Sequence, residues 1–157
     1  MSMAETLIAA PILLVASWTD IRFRRIPNCV SYTAIVVAFL SAAHSDLLTT
    51  EVVENNAGAL ANTLDAVTGL LGCFSILLIT YSVGGLGGGD VKIGTFLGAA
   101  TGLETGISIL CISHLLAGAF ALICIAGSRQ PSASPKGIPM AVFYFLGTLF
   151  VALGVWL

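Results

Sequence analysis

Two aspartates differ from the other acids of this sequence in what surrounds them. Asp20 follows the apolar run 6–19, and Asp90 follows the glycine-rich segment 84–89. Placing an ionisable side chain next to a long apolar segment costs free energy, so such a residue indicates a functional site. Two such carboxylates held close together can share a proton. One then activates water while the other, protonated, polarises a carbonyl. This pairing predicts peptide hydrolysis that needs neither a metal ion nor a covalent intermediate.

Each aspartate also has a purely structural interpretation. Asp90 is placed to cap the helix that follows it, where the helix dipole favours a negative charge. Asp20 would lie at a helix C-terminus, where the dipole disfavours a carboxylate, unless the helix continues and Asp20 pairs with Arg24.

The residues around the two aspartates fit a site that receives an extended chain. Gly87, Gly88 and Gly89 directly precede Asp90, and glycine allows another backbone to approach closely. Lys92 is near enough in sequence to tune the proton affinity of Asp90. Pro27 breaks the chain before the second helix, and Asn28 is a candidate cap for it.

Composition restricts the class of protein. The 157 residues are 57% hydrophobic and only 9% charged, whereas a soluble domain carries about 25% charged residues. A soluble enzyme and a disordered chain are therefore excluded. So is a nucleic-acid binder, because the net charge is −2. No two of the four cysteines have C-x-x-C spacing, so we expect no metal site, and no cofactor is predicted.

Apolar runs predict an all-α polytopic membrane protein, a bundle of about six transmembrane helices forming one domain over residues 1–157. The runs are 6–19, 29–43, 66–83, 91–103, 105–126 and 139–157. The fourth is short: from Asp90 to Leu103 a helix is roughly 21 Å long, below the about 30 Å of hydrocarbon. A re-entrant segment would place Arg129 and Lys136 outside, so we expect a short or half-unwound span instead. Glycines recur there at every fourth position, which predicts close helix packing: Gly94, Gly98, Gly102 and Gly106. His114, in the fifth run, is expected to form an interhelical hydrogen bond rather than to act as a catalytic base.

Charge predicts the orientation of the bundle. If the N-terminus lies outside, six crossings place every Lys and Arg in cytoplasmic segments: Arg22, Arg24, Arg25, Lys92, Arg129 and Lys136. Most acids then lie outside: Glu5, Asp46, Glu51, Glu54, Asp65 and Glu104. The two exceptions, Asp20 and Asp90, are both predicted at the cytoplasmic face.

These motifs resemble those of the type IV prepilin peptidases, which are membrane aspartic peptidases with a G-x-G-D motif. The resemblance rests on Asp20 with Arg-Ile-Pro-Asn at 25–28, and on Gly-Gly-Gly-Asp-Val-Lys at 87–92. Ile138-Pro139 is similar to a further element, although Met140 stands where the family usually has tyrosine. The resemblance implies that Asp20 and Asp90 are catalytic. It also implies a supporting or substrate-binding role for Arg25, Pro27, Asn28, Gly87, Gly88, Gly89 and Lys92.

The same resemblance implies the partner and the location. The substrate would be a prepilin or pseudopilin precursor with a basic leader, cleaved at the cytoplasmic side of the bacterial inner membrane, with lipids as the surrounding contacts. The chain is similar to the short form associated with Flp pili. That form lacks the cysteine-rich N-terminal domain, so the resemblance leaves methyltransferase activity open.

Three other functions remain open on the sequence alone. The protein could be an intramembrane protease of other membrane substrates, acting through the same two aspartates. It could be a small proton- or cation-coupled transporter in which Asp20 and Asp90 relay ions. It could also be a non-catalytic assembly subunit whose glycine face binds partner helices.

Overall fold

The structure, a computed structural model, describes residues 3–23, 26–52, 61–127 and 139–156. Helices account for nearly all of these residues, and no strand occurs among them, which confirms the all-α prediction. The five helices are α1 (Met3–Phe23), α2 (Asn28–Val52), α3 (Ala61–Ser82), α4 (Gly88–Gly127) and α5 (Met140–Trp156).

Two helices extend beyond the apolar runs that predicted them. α1 continues to Phe23, so Asp20 lies within its last turn rather than at its end. α2 continues to Val52, nine residues past the predicted run 29–43. The residues between α2 and α3, 53–60, lie outside the described residues.

α4 is a helical hairpin. Gly102 interrupts it with φ 76° and ψ 177°, a backbone conformation that glycine alone adopts readily. Beyond Gly102 the chain reverses. A Cβ added at Gly106 would lie 2.9 Å from the Cα of Gly98, and one added at Gly94 would lie 3.2 Å from Cδ2 of Leu110. The two arms, 88–101 and 103–127, therefore run antiparallel and correspond to the fourth and fifth predicted segments.

The glycines of the hairpin allow α3 to approach it closely. A Cβ at Gly98 would lie 2.7 Å from Sγ of Cys73, and one at Gly69 would collide with the carbonyl oxygen of Gly98. Such contacts are possible only without side chains, and they favour helix association in lipid through van der Waals packing. α3 and α4 consequently form the most extensive interhelical contact among the described residues. This confirms the close packing predicted from the glycine spacing.

The outer surface of the bundle is apolar. Large hydrophobic side chains lie exposed along the helices, among them Trp18, Leu40, Ile79, Leu115 and Phe150. A soluble monomer seldom exposes so much apolar surface, whereas a bundle in lipid does so as a rule. Within the described part of the chain, three helical stretches are long and apolar enough to cross a membrane: 28–48, 61–82 and 88–127. Six crossings and an outside N-terminus stay predictions.

Candidate active site

Asp90 is positioned by the turn that starts α4. The carbonyl of Gly87 accepts hydrogen bonds from the amides of Asp90 (3.1 Å) and Val91 (3.3 Å), so Gly87 is the residue that caps this helix. In return, the amide of Gly87 donates to Oδ2 of Asp90 over 3.2 Å. The predicted capping role of Asp90 is thus confirmed, because its carboxylate binds the amide of Gly87 at the start of its own helix.

Asp20 is positioned by a second helix as well as its own. Its Oδ2 accepts a hydrogen bond from the amide of Ala141 over 3.3 Å, and Ala141 lies in the first turn of α5. The partial positive charge at the start of α5 therefore offsets the unfavourable position of Asp20 near the C-terminus of α1. Sequence reasoning could not find this compensation, since Asp20 and Ala141 are far apart along the chain.

Both aspartates line one open cavity of about 470 Å³. They are close enough to interact electrostatically. The nine residues that line this cavity come from the last turn of α1, from the start of α2 with the two residues before it, and from the start of α4 with the residue before it: Asp20, Ile26, Pro27, Asn28, Gly87, Gly88, Gly89, Asp90 and Lys92. Every predicted site residue that the structure describes is among them, and Arg25 lies outside the described residues.

Lys92 and Asn28 connect two sides of the cavity. Nζ of Lys92 donates a hydrogen bond of 2.6 Å to Oδ1 of Asn28, and it also lies 5.1 Å from the ring centroid of Tyr32. Asn28 thus accepts a bond from another helix, whereas the sequence suggested that it caps α2. The carbonyl of Pro27 takes that place, accepting the amides of Val30 and Ser31. The Lys92 ammonium therefore joins α2 to α4 beside the two carboxylates.

Sequence reasoning missed two contributors to the site. Ile26 lines the cavity and would contact a Cβ at Gly89 at 3.4 Å, so it packs over the glycine segment. Ala141 supplies the amide that binds Asp20. Ile26 is the isoleucine of the Arg-Ile-Pro-Asn motif, and its position between Arg25 and Pro27 could have indicated it. A backbone amide leaves no such signal in the sequence.

His114 lies apart from this cavity. Its Nδ1 is 2.7 Å from the carbonyl oxygen of Leu110 in the same helix, so its hydrogen bond is intrahelical and not interhelical as the sequence predicted. Among the residues described, no three His, Cys, Asp or Glu side chains come together as a metal site would require. Asp20 and Asp90 both line the cavity, and carboxyl groups can act as general acids and general bases.

Comparisons with known proteins give one match. Searches of curated proteins and of solved structures found no similar protein. Residues 7–122, by contrast, match the type IV leader peptidase family. The matched segment covers most of the chain and includes both Asp20 and Asp90. By this match, together with the helical fold, the chain belongs to the type IV leader peptidase family.

Proposed function

We propose that this protein is a membrane-embedded aspartic endopeptidase that removes the leader peptide of prepilin-type, Flp-like precursors. The observation that carries the proposal is that Asp20, Asp90 and the glycines before Asp90 line the same cavity. Membership of a leader peptidase family gives the reaction class. The two carboxylates give a means of performing it.

Peptide hydrolysis at such a pair needs one carboxylate ionised and one protonated. The ionised carboxylate takes a proton from water, and the resulting hydroxide attacks the scissile carbonyl carbon. The protonated carboxyl donates a hydrogen bond to the carbonyl oxygen and stabilises its developing charge. The tetrahedral intermediate then collapses, the C–N bond breaks, and the leaving nitrogen receives a proton from the pair.

The walls of the cavity suit an extended peptide. Gly87 and Gly88 carry no side chain that would keep a substrate backbone away from Asp90, and both are exposed. The ionised carboxylate of the pair attracts positive charge, which a leader rich in Lys or Arg would supply.

The proposed location follows from charge. Arg22 and Lys92 lie at the same end of the bundle as the cavity, and basic residues mark the cytoplasmic side. We therefore place the cavity at the cytoplasmic face of the bacterial inner membrane, with the N-terminus outside.

A cleavage assay tests the proposal. The purified protein in liposomes is mixed with a Flp-type prepilin, and the shortened product is followed by gel mobility and mass. We expect Asp20→Asn and Asp90→Asn each to lower the cleavage rate by about a hundredfold or more, because each removes one partner of the acid–base pair. Glu104→Gln is the matched control, since Glu104 is an exposed carboxylate remote from the cavity.

The outcomes separate the hypotheses. Cleavage by the wild type and the control, but by neither aspartate variant, supports the two-aspartate mechanism. Normal cleavage by either aspartate variant would contradict it. No cleavage of the prepilin, combined with ion flux into the same liposomes that both variants abolish, would instead favour the transporter.

A further inference from the structure

Tyr32 on α2 presents its aromatic ring to the lysine of the cavity. The ring centroid lies 5.1 Å from Nζ of Lys92, within the distance at which an ammonium is attracted to the face of an aromatic ring. Lys92 lines the cavity together with the two aspartates, whereas Tyr32 is not among the nine described residues that line it. Tyr32 therefore reaches the cavity through Lys92.

The ammonium of Lys92 has two partners on the same helix. Its Nζ donates a hydrogen bond of 2.6 Å to Oδ1 of Asn28, the first residue of α2, and Tyr32 comes four residues later. Residues four apart lie on one face of a helix, about one turn from each other. The amide oxygen and the ring thus hold one ammonium from neighbouring positions on α2.

Lys92 needs such partners because its side chain is flexible. A lysine ammonium is carried on a four-carbon stem whose rotamer freedom is lost when the group is held in one place. Asp90 and Lys92 are two residues apart on α4, so their side chains leave the helix in directions about 200° apart. The contacts with Asn28 and Tyr32 keep the ammonium at the wall of the cavity that α2 forms.

The held ammonium can still bind a ligand. A lysine carries three N–H donors, and the hydrogen bond to Asn28 uses one of them. The glycines of the cavity admit an extended chain, and such a chain offers a carbonyl oxygen at every residue. When the scissile bond lies at the aspartates, a neighbouring carbonyl of the same chain faces the α2 wall.

We propose that Tyr32 is a positioning residue whose ring, together with Asn28, holds the Lys92 ammonium at the α2 wall, where the ammonium donates a hydrogen bond to a backbone carbonyl of the bound precursor. The contact between Tyr32 and Lys92 stands independently of the reaction, whereas its effect on cleavage rests on the proposed function. Because the carbonyl is not that of the scissile bond, the hydrogen bond contributes to binding and not to the chemical step.

Tyr32→Leu tests the inference with the prepilin in liposomes. We expect KM to rise by about twofold to fivefold with kcat unchanged, since the ring that holds the ammonium is lost while both aspartates stay in place. Tyr32→Phe is the matched control, because it removes the hydroxyl group and keeps the ring, and it should cleave as the wild type does. Unchanged KM in Tyr32→Leu, or a raised KM in Tyr32→Phe, would overturn the inference.

A double variant shows whether Tyr32 acts through Lys92. Lys92→Met should itself raise KM, and adding Tyr32→Leu to it should raise KM no further, because the group that the ring holds is then absent. If Tyr32→Leu raised KM by the same factor in both backgrounds, the tyrosine would act independently of the lysine, and the inference would be wrong.

A nuclear magnetic resonance measurement tests the contact without any substrate. The chain has two lysines, Lys92 and Lys136, so carbon-13 labelling at lysine Cε gives two side-chain signals, which Lys92→Met assigns. Protons over the face of an aromatic ring resonate upfield. We expect the Cε protons of Lys92 to move downfield in Tyr32→Leu and to stay in place in Tyr32→Phe. An unchanged Lys92 signal in Tyr32→Leu would refute the contact. A wild type that cleaves no prepilin would refute the proposed function, and the Lys92 signal would still decide on the contact.

Discussion

Four aspartates in this fold bind the first amides of helices. Asp46 accepts the amides of Asn62 and Thr63 at the start of α3, and Asp65 accepts that of Leu103 after the reversal in α4. Asp20 does the same at α5, and Asp90 binds the amide of Gly87, the residue that caps α4. Binding a helix N-terminus therefore does not distinguish candidate catalytic acids from structural ones. What distinguishes Asp20 and Asp90 is that they line one cavity together.

Sequence reasoning located the two acids but not their surroundings. The glycine segment and the apolar flanks indicated Asp20 and Asp90 as candidates, because ionisable residues are unusual beside apolar segments. The bond between Asn28 and Lys92 and the bond between Asp20 and Ala141 connect residues 64 and 121 positions apart. Contacts of that kind depend on how helices pack, which local patterns do not encode.

Gly87→Ala should weaken catalysis with little effect on folding. Its Cβ would lie 3.0 Å from Oδ2 of Asp90 and would push that oxygen away from the amide that now binds it. We expect the cleavage rate to fall by about tenfold, as for the loss of one hydrogen bond to a carboxylate. Gly118→Ala is the control, because a Cβ there meets no neighbouring atom within 4 Å. Equal rates for the two variants would show that the amide does not hold Asp90 in place.

Among the helices, the hairpin of α4 has a geometry that the four-residue spacing of its glycines did not predict. Glycines four residues apart predicted one smooth helix face. The reversal at Gly102 instead brings Gly106 back against Gly98, so the two glycines meet across the arms. The close packing was predictable, but its geometry was not. Glycines would also recur at every fourth position in one continuous helix. The spacing alone therefore does not reveal that the chain reverses at Gly102.

Gly102→Ala should destabilise the hairpin. Alanine would be strained at φ 76°, and its Cβ would collide with the carboxylate of Asp65, which also binds the amide of Leu103. We expect the free energy of unfolding to fall by about 3 kcal/mol, at the upper end of the range for a strained residue. Thermal unfolding in detergent measures the effect, again with Gly118→Ala as the control. Equal stability of the two variants would mean that the chain does not reverse at Gly102.

The whole molecule has two chemically different ends. At one end α1, α2, α4 and α5 meet around the cavity, where Arg22 and Lys92 also lie. At the other end α2, α3 and the reversal of α4 meet around Asp46 and Asp65. Basic residues at one end and acids at the other are the asymmetry by which membrane proteins orient. Arg22 and Lys92 at one end and Asp46 and Asp65 at the other fit the predicted asymmetry, and the orientation of the bundle in the membrane stays a prediction.

Thiol labelling in intact cells tests the orientation and the number of crossings together. In a background without the four native cysteines, one cysteine is placed at Ser82, exposed at the cavity end, or at Glu104, exposed just after the reversal. A reagent that cannot cross the membrane should label Glu104→Cys in intact cells, and Ser82→Cys only after permeabilisation. The arm 88–101 must then cross the bilayer, although its about 21 Å of helix is short for that. Protection of Glu104→Cys in intact cells, with labelling only after permeabilisation, would make this arm re-entrant and reduce the crossings. Labelling of Ser82→Cys in intact cells would reverse the orientation and place the cavity outside.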